Sequence, residues 1–156
     1  MPGYRAVGLD SDFARRIREE RLDAFGDPVE VYATEDARKP CRHCLGDIGL
    51  EQEVLLLSHR PAPVPGPYSE VGPIFVCGEA CAPFSAENRL PPVLKGRRVV
   101  VRGYTAEERI NYEASEIVEG EDAEPVIRRF LEDPKNAYLQ VRTALFGCFL
   151  CKVERV

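Results

Sequence analysis

Short apolar runs closed by turn residues set the strongest limit on what this chain can fold into. Leu55-Leu56-Leu57 lies within residues 54–60, and Val99-Val100-Val101 lies at the centre of residues 97–104. Each run is too short for a buried helix and ends at proline, glycine or charged residues, so each reads as a strand. Residues 29–33 and 74–77 read as shorter strands. Residues 110–118 alternate and predict a hairpin partner for 97–104, and residues 137–143 and 148–155 predict two last strands around Phe146-Gly147. A four-proline stretch at 61–67 is expected to be a stiff, extended loop. Pro91-Pro92 predicts one helical turn ending at Gly96.

Only two segments carry a solid helical period. The first is expected to start near Asp10 or Ser11, either of which can cap it, with Phe13 and Ile17 on one face and Gly26-Asp27-Pro28 as its stop. In the second, Ala123, Val126, Ile127, Phe130 and Leu131 follow i, i+3, i+4, i+7, i+8 spacing before Asp133-Pro134 ends it. Many hairpin-like connections and two helices predict an α+β fold: a mostly antiparallel β-sheet with both helices packed on one face. The expected core is shared by Leu55, Leu57, Ile74, Val76, Val99, Val101, Ile127, Phe130 and Leu139.

The 156 residues match the usual size of one domain, and no repeat or composition shift divides them. A net charge of −5 gives no electrostatic reason to bind nucleic acid non-specifically. No apolar stretch approaches the ~20 residues of a membrane span, and residues 1–12 lack a secretory pattern. The expected location is therefore the cytoplasm, where cysteines stay reduced. Arginine greatly outnumbers lysine, which suits bidentate recognition of carboxylate or phosphate.

Six cysteines fall as Cys41-x2-Cys44, Cys77-x3-Cys81 and Cys148-x2-Cys151. The two C-x2-C pairs invite a four-thiolate zinc reading. However, Cys148 and Cys151 lie in a stretch that alternates like a strand, and residues three apart on a strand point to opposite faces. No metal site is therefore expected, with less than one equivalent of tightly bound zinc. Cys77, Cys81 and Cys151 read as small core residues.

Polar groups flank the strands at Arg42-His43, Ser58-His59-Arg60, Tyr68-Ser69-Glu70, Arg102-Gly103-Tyr104 and Gln140-Val141-Arg142. His43, in a loop between cysteines, is the better acid/base or ligand candidate; adjacent Arg42 would lower its pKa. His59 reads as a partly buried side chain. No serine triad order, phosphate loop, dinucleotide fingerprint or His-Glu metal helix is present.

Taken together, Pro40-Cys41-Arg42-x-Cys44-Leu45, Val54-Leu55-Leu56-Leu57, Pro67-Tyr68 through Gly72-Pro73-Ile74-Phe75-Val76, Arg102-x-Tyr104, Ala137-Tyr138 through Val141-Arg142 and Gly147-Cys148-Phe149 resemble the bacterial DUF1203 family. The resemblance runs from about residue 13 to residue 155. It implies a small stand-alone cytoplasmic protein, supplies no established activity, and places Cys41, Arg42, Tyr68, Arg142 and Cys148 on family positions.

Three functional classes follow. The favoured one is a pocket for a small anionic metabolite, with Arg42, Arg102 and Arg142 as anion contacts and Tyr68 and Tyr104 as ligand-binding walls. Enzymatic use stays open, with Cys41 or Cys148 as nucleophile or His43 as general acid/base. The alternative is a small zinc-stabilised module held by cysteine pairs, and a third is an adaptor using the proline loop. The boldest expectation is that Cys41, Arg42, His43, Tyr68, Arg142 and Cys148 converge on one pocket.

Overall fold

The computed structural model describes residues 1–156. Its elements run in the order β1 (Tyr4–Val7), α1 (Ser11–Glu20), β2 (Glu30–Ala33), β3 (Lys39–Pro40), β4 (Asp47–Ile48), β5 (Glu53–His59), β6 (Gly72–Cys77), β7 (Arg98–Tyr104), β8 (Ile110–Glu119), α2 (Ala123–Glu132), β9 (Tyr138–Thr143) and β10 (Phe149–Arg155). The class is α+β, and every pairing between strands is antiparallel.

The strands form two main sheets rather than one. Five strands take the order β1-β10-β9-β7-β8, three take the order β2-β5-β6, and β3 and β4 form a short ribbon. The helices divide accordingly. In α2 the predicted apolar stripe, Ala123, Val126, Ile127, Phe130 and Leu131, is buried against the five-stranded sheet with Val99, Val101 and Leu139. In α1, Asp10 caps the helix by accepting from the Phe13 N–H at 3.1 Å, and Arg21 closes it in the left-handed conformation. Ile17 packs with Leu55, Leu57, Ile74 and Val76 over the smaller sheet. All nine expected core residues are buried, but they serve two apolar clusters. The expectation of one shared core, with both helices on one face, is corrected on this point. Strands β5 and β6 turn back on each other before the chain reaches β7, so the two halves of the apolar set never share a face.

The segment Pro40–Ile48 is pinned between the sheets. Arg42 donates its backbone N–H to the Phe75 carbonyl at 3.0 Å, and the Arg42 carbonyl accepts from Leu9 at 2.8 Å. On the other side, Val93 donates to Leu45 at 3.0 Å. Gly8 is what allows β1 to lead so closely over this segment: a Cβ there would lie 2.4 Å from the Arg42 carbonyl oxygen and 2.7 Å from that of His43.

Candidate functional site

The β3–β4 ribbon turns through Cys41, Arg42, His43 and Cys44. Leu45, in the left-handed region with φ of 56°, lets the chain reverse, and its N–H donates to Cys41 at 3.1 Å. A parallel bridge from Cys41 to Phe75 lays this turn beside β6, whose last residue is Cys77. Cys77 and Cys81 therefore meet Cys41 and Cys44. All four sulfurs lie within 4.8 Å of one another, with Cys41 and Cys81 at 3.9 Å. Tetrahedral zinc binds each thiolate at about 2.3 Å, which sets its sulfurs about 3.8 Å apart. The donor set thus has the chemistry and the spacing of a structural zinc centre.

The surroundings favour the thiolate at Cys41 and Cys44. Backbone N–H groups of His43 and Cys77 donate to Cys41 Sγ at 3.4 and 3.3 Å. Hydrogen bonds from the neighbouring thiols, Cys44 first, hold the Cys41 thiol far below its ordinary range, although burial opposes this. Cys41 in turn is the main cause that pushes Cys77 and Cys81 up: each thiol keeps its proton to hydrogen-bond the Cys41 sulfur, and burial and charge repulsion add to this. Four thiolates at this separation need a cation among them. Helix α1 adds positive charge from outside: Arg18 donates to Cys81 Sγ at 3.1 Å and to the Cys77 carbonyl at 3.0 Å.

His43 is buried and lies against the same cluster. Its Nδ1 is 3.1 Å from Cys81 Sγ and its Nε2 is 2.9 Å from Ser11 Oγ. With Cys81 as thiolate, Nδ1 carries the proton and donates, and Nε2 accepts from the Ser11 hydroxyl. Burial first, and then Arg18, lowers the His43 pKa. The expected lowering is present, but Arg18 rather than the adjacent Arg42 is the charge that contributes to it.

Arg42 points the other way. Its side chain is 2% exposed and has no carboxylate partner. Nε donates to the Phe149 carbonyl at 2.6 Å, Nη1 donates to the Pro40 carbonyl at 2.7 Å, and the guanidinium lies over the Phe75 ring. Burial lowers its pKa to about 10, with Cys148 the largest opposing influence. Arg42 lines a cavity of about 640 Å³ together with Arg38, Lys39, Arg97 and Arg98. Arg97 pairs with Asp47 at 2.9 Å and Arg98 with Glu119 at 2.7 Å, which leaves Arg38, Lys39 and Arg42 without a carboxylate. Phe75, Leu145 and Phe146 line the apolar side, and Cys148 also borders the cavity.

The remaining candidates lie apart from the four sulfurs. Arg142 is saturated by Gln140 at 3.0 Å, the Gly147 carbonyl at 2.7 Å and Glu70 at 3.2 Å. Arg102 reaches the same Glu70 oxygen at 3.2 Å. Arg142 and Cys148 border a second, smaller cavity that also holds His59 and Glu70. Tyr68 meets Tyr112 at the surface, hydroxyl to hydroxyl at 2.6 Å. Tyr104 is buried, stacked on Tyr138, with its hydroxyl unpaired. The expected single constellation therefore divides. Cys41 and His43 face the sulfur cluster, Arg42 and Cys148 share the large cavity, and Arg142 and Cys148 share the small one. Cys148 and Cys151 do not join Cys41 and Cys44 at one metal, as the strand period predicts: Cys151 is fully buried in the larger core while Cys148 borders the cavities. The fold instead assembles Cys41 and Cys44 with Cys77 and Cys81, a pairing the expectation of no metal site left out. Cys77 and Cys81, read as core residues, are only partly buried.

His59 is held between Phe13 and Phe149, with ring centroids 6.2 and 5.8 Å away. Burial, aided by Arg42, lowers its pKa from 6.5 to about 4. Protonation thus favours the unfolded chain, so this contribution to stability is intact above pH 6.5 and is lost as pH falls toward 4. The loss is on the order of 3 kcal/mol. His59→Phe, which keeps the ring stack, is expected to flatten the denaturation midpoint between pH 6.5 and 4 relative to wild type; parallel curves would contradict the assignment.

A family model described as "Protein of unknown function (DUF1203)" matches residues 38–155. The match begins after α1, so the helix that supplies Arg18 and Ser11 lies outside it. No curated protein and no solved structure matches the chain.

Proposed function

Since the chain belongs to the DUF1203 family, whose description assigns no activity, we propose its function from the site itself: a zinc-stabilised module in which Cys41, Cys44, Cys77 and Cys81 hold the turn that presents Arg42 to an anion-binding cavity. The observation that carries this reading is the gathering of four sulfurs within 4.8 Å from two segments more than thirty residues apart. Zinc bound there would be a closed structural centre, with all positions taken by thiolate, and would cross-link the β3–β4 turn to the end of β6. Arg18 and His43 would offset the excess negative charge of a four-thiolate site by donating to Cys81. Such a centre suits a reducing compartment such as the cytoplasm. No helix is long and apolar enough to cross a membrane.

Cobalt substitution tests the donor set. Protein refolded with cobalt(II) is expected to show the intense visible bands of a tetrahedral thiolate site, weakened or shifted in Cys77→Ser and unchanged in Cys148→Ser. A weak octahedral spectrum would reject the site.

The second part of the proposal is a small anionic metabolite in the large cavity. Support comes from the buried Arg42 guanidinium, which has no carboxylate of its own. A buried cation without a counter-charge is costly to keep unless a partner arrives. Arg102 and Arg142 do not line this cavity and are both paired with Glu70, so they have no part in this site. Inorganic phosphate or a dicarboxylate is expected to raise the melting midpoint, and no shift with any anion would count against the cavity as a binding site.

A further inference from the structure

The cavity beside Arg42 is not a uniformly polar anion site, and its mixed cationic and apolar lining identifies the ligand more closely. Of its five cationic residues, Arg97 and Arg98 are already paired with Asp47 and Glu119, so the cations open to a ligand are Arg38, Lys39 and Arg42, at and beside the β3 strand. The lining also includes the turn between β9 and β10, where Leu145 and Phe146 stand 82% and 78% exposed to solvent. Large apolar side chains this exposed, at the rim of a cavity whose wall holds Phe75, leave apolar surface in water that a ligand would cover. The 640 Å³ volume falls within the range of sites that enclose a whole small molecule, and it far exceeds what one phosphate or carboxylate group fills.

We propose that this cavity binds an amphipathic anion: a carboxylate or phosphate monoester carried on an apolar body, with the head group at Arg42 and the body against Phe75, Leu145 and Phe146. The inference rests on the anion-binding reading above and narrows it to a ligand class. Arg42 is suited to the head group because the Phe149 and Pro40 carbonyls already fix its guanidinium plane, so little ordering is needed when an anion arrives. Arg38 is exposed and Lys39 is half-buried with its ammonium over the Phe75 ring, so both would add attraction without fixing geometry. The turn that carries Leu145 and Phe146 ends at Gly147, in the left-handed conformation with φ of 73°, whose carbonyl is held by Arg142. The apolar rim is therefore anchored to the five-stranded sheet at its base.

Calorimetric titration of the 156-residue protein as purified with four probes tests this. Octanoate and octyl phosphate carry both features, octanol lacks the charge, and inorganic phosphate lacks the body. Octanoate or octyl phosphate is expected to bind at least about tenfold tighter than either octanol or inorganic phosphate. Whichever of the two binds tighter identifies the head group. Phe146→Ser, at an exposed turn where the fold is not at stake, is expected to weaken the amphipathic probes several-fold and leave inorganic phosphate unchanged. Arg38→Ala, also at the surface, is expected to weaken both anionic octyl probes and leave octanol unchanged. Inorganic phosphate binding as tightly as octyl phosphate, with Phe146→Ser silent, would overturn the amphipathic ligand but keep the anion site. Octanol binding as tightly as octanoate, or no probe binding at all, would overturn both.

Discussion

Removing metal with a strong chelator is expected to lower the melting midpoint of the purified protein by at least about 10 °C, because a structural thiolate centre contributes several kcal/mol directly to folding. The turn from Cys41 to Cys44 sits on a ribbon of only two residues per strand, Lys39–Pro40 with Asp47–Ile48, too short to be stable by itself. Cys81 follows β6 in a stretch with no regular secondary structure. Without a cross-link, the four thiols would face one another with repelling charges or would all protonate, and the turn would lose its tie to β6. Cys77→Ser is expected to reproduce the chelator's effect and to make the protein insensitive to chelator. Cys148→Ser, outside the cluster, is expected to melt like wild type. A midpoint unmoved by chelation would remove metal from the account of stability.

Arg42→Ala is expected to cost about 3 kcal/mol or more, an effect large for an arginine because most surface arginines cost little. Two buried carbonyls, those of Phe149 and Pro40, lose their donors at once. The stacking on Phe75 is also lost, and a void opens where the side chain joins the two sheets. Relief of a buried, unpaired charge offsets part of this, which is why the loss is smaller than a simple sum of broken contacts. Arg42→Lys keeps the charge but cannot span both carbonyls, so it is expected to recover only part of the loss. Denaturant unfolding of the metal-loaded variants measures both. A change below about 0.5 kcal/mol for Arg42→Ala would mean that the guanidinium does not tie the sheets together.

The parts of the fold legible in the sequence are those in which neighbours along the chain decide the outcome. Helix α2 follows from an apolar stripe with a proline stop, and α1 from Asp10 at its cap. The β7–β8 and β9–β10 hairpins follow from alternating segments around short turns. Strand β1 was not legible: it has four residues and pairs with β10, at the opposite end of the chain. The division into two sheets was hidden for the same reason, since period gives the face of a strand but not its partner.

The candidate site was legible in composition and illegible in pairing. The strand argument correctly separates Cys148 from Cys151, yet it says nothing of Cys77-x3-Cys81. The signal that could have found the quartet is the position of Cys77 at the end of a strand, followed by Gly78 and a turn-rich stretch, opposite a C-x2-C turn. Arg42 shows the same limit. Between a cysteine and a histidine in a loop it reads as an anion contact, but nothing local predicts its burial, which comes from the Phe75 and Phe149 contacts made through β6 and β10.

The most direct test is the zinc content of protein purified without added metal, measured by mass spectrometry alongside Cys77→Ser/Cys81→Ser and Cys148→Ser/Cys151→Ser. The account predicts close to one zinc per chain in wild type and in the Cys148/Cys151 variant, and almost none in the Cys77/Cys81 variant. Wild-type protein that folds with no bound metal, or metal that persists when Cys77 and Cys81 are both replaced, would contradict it.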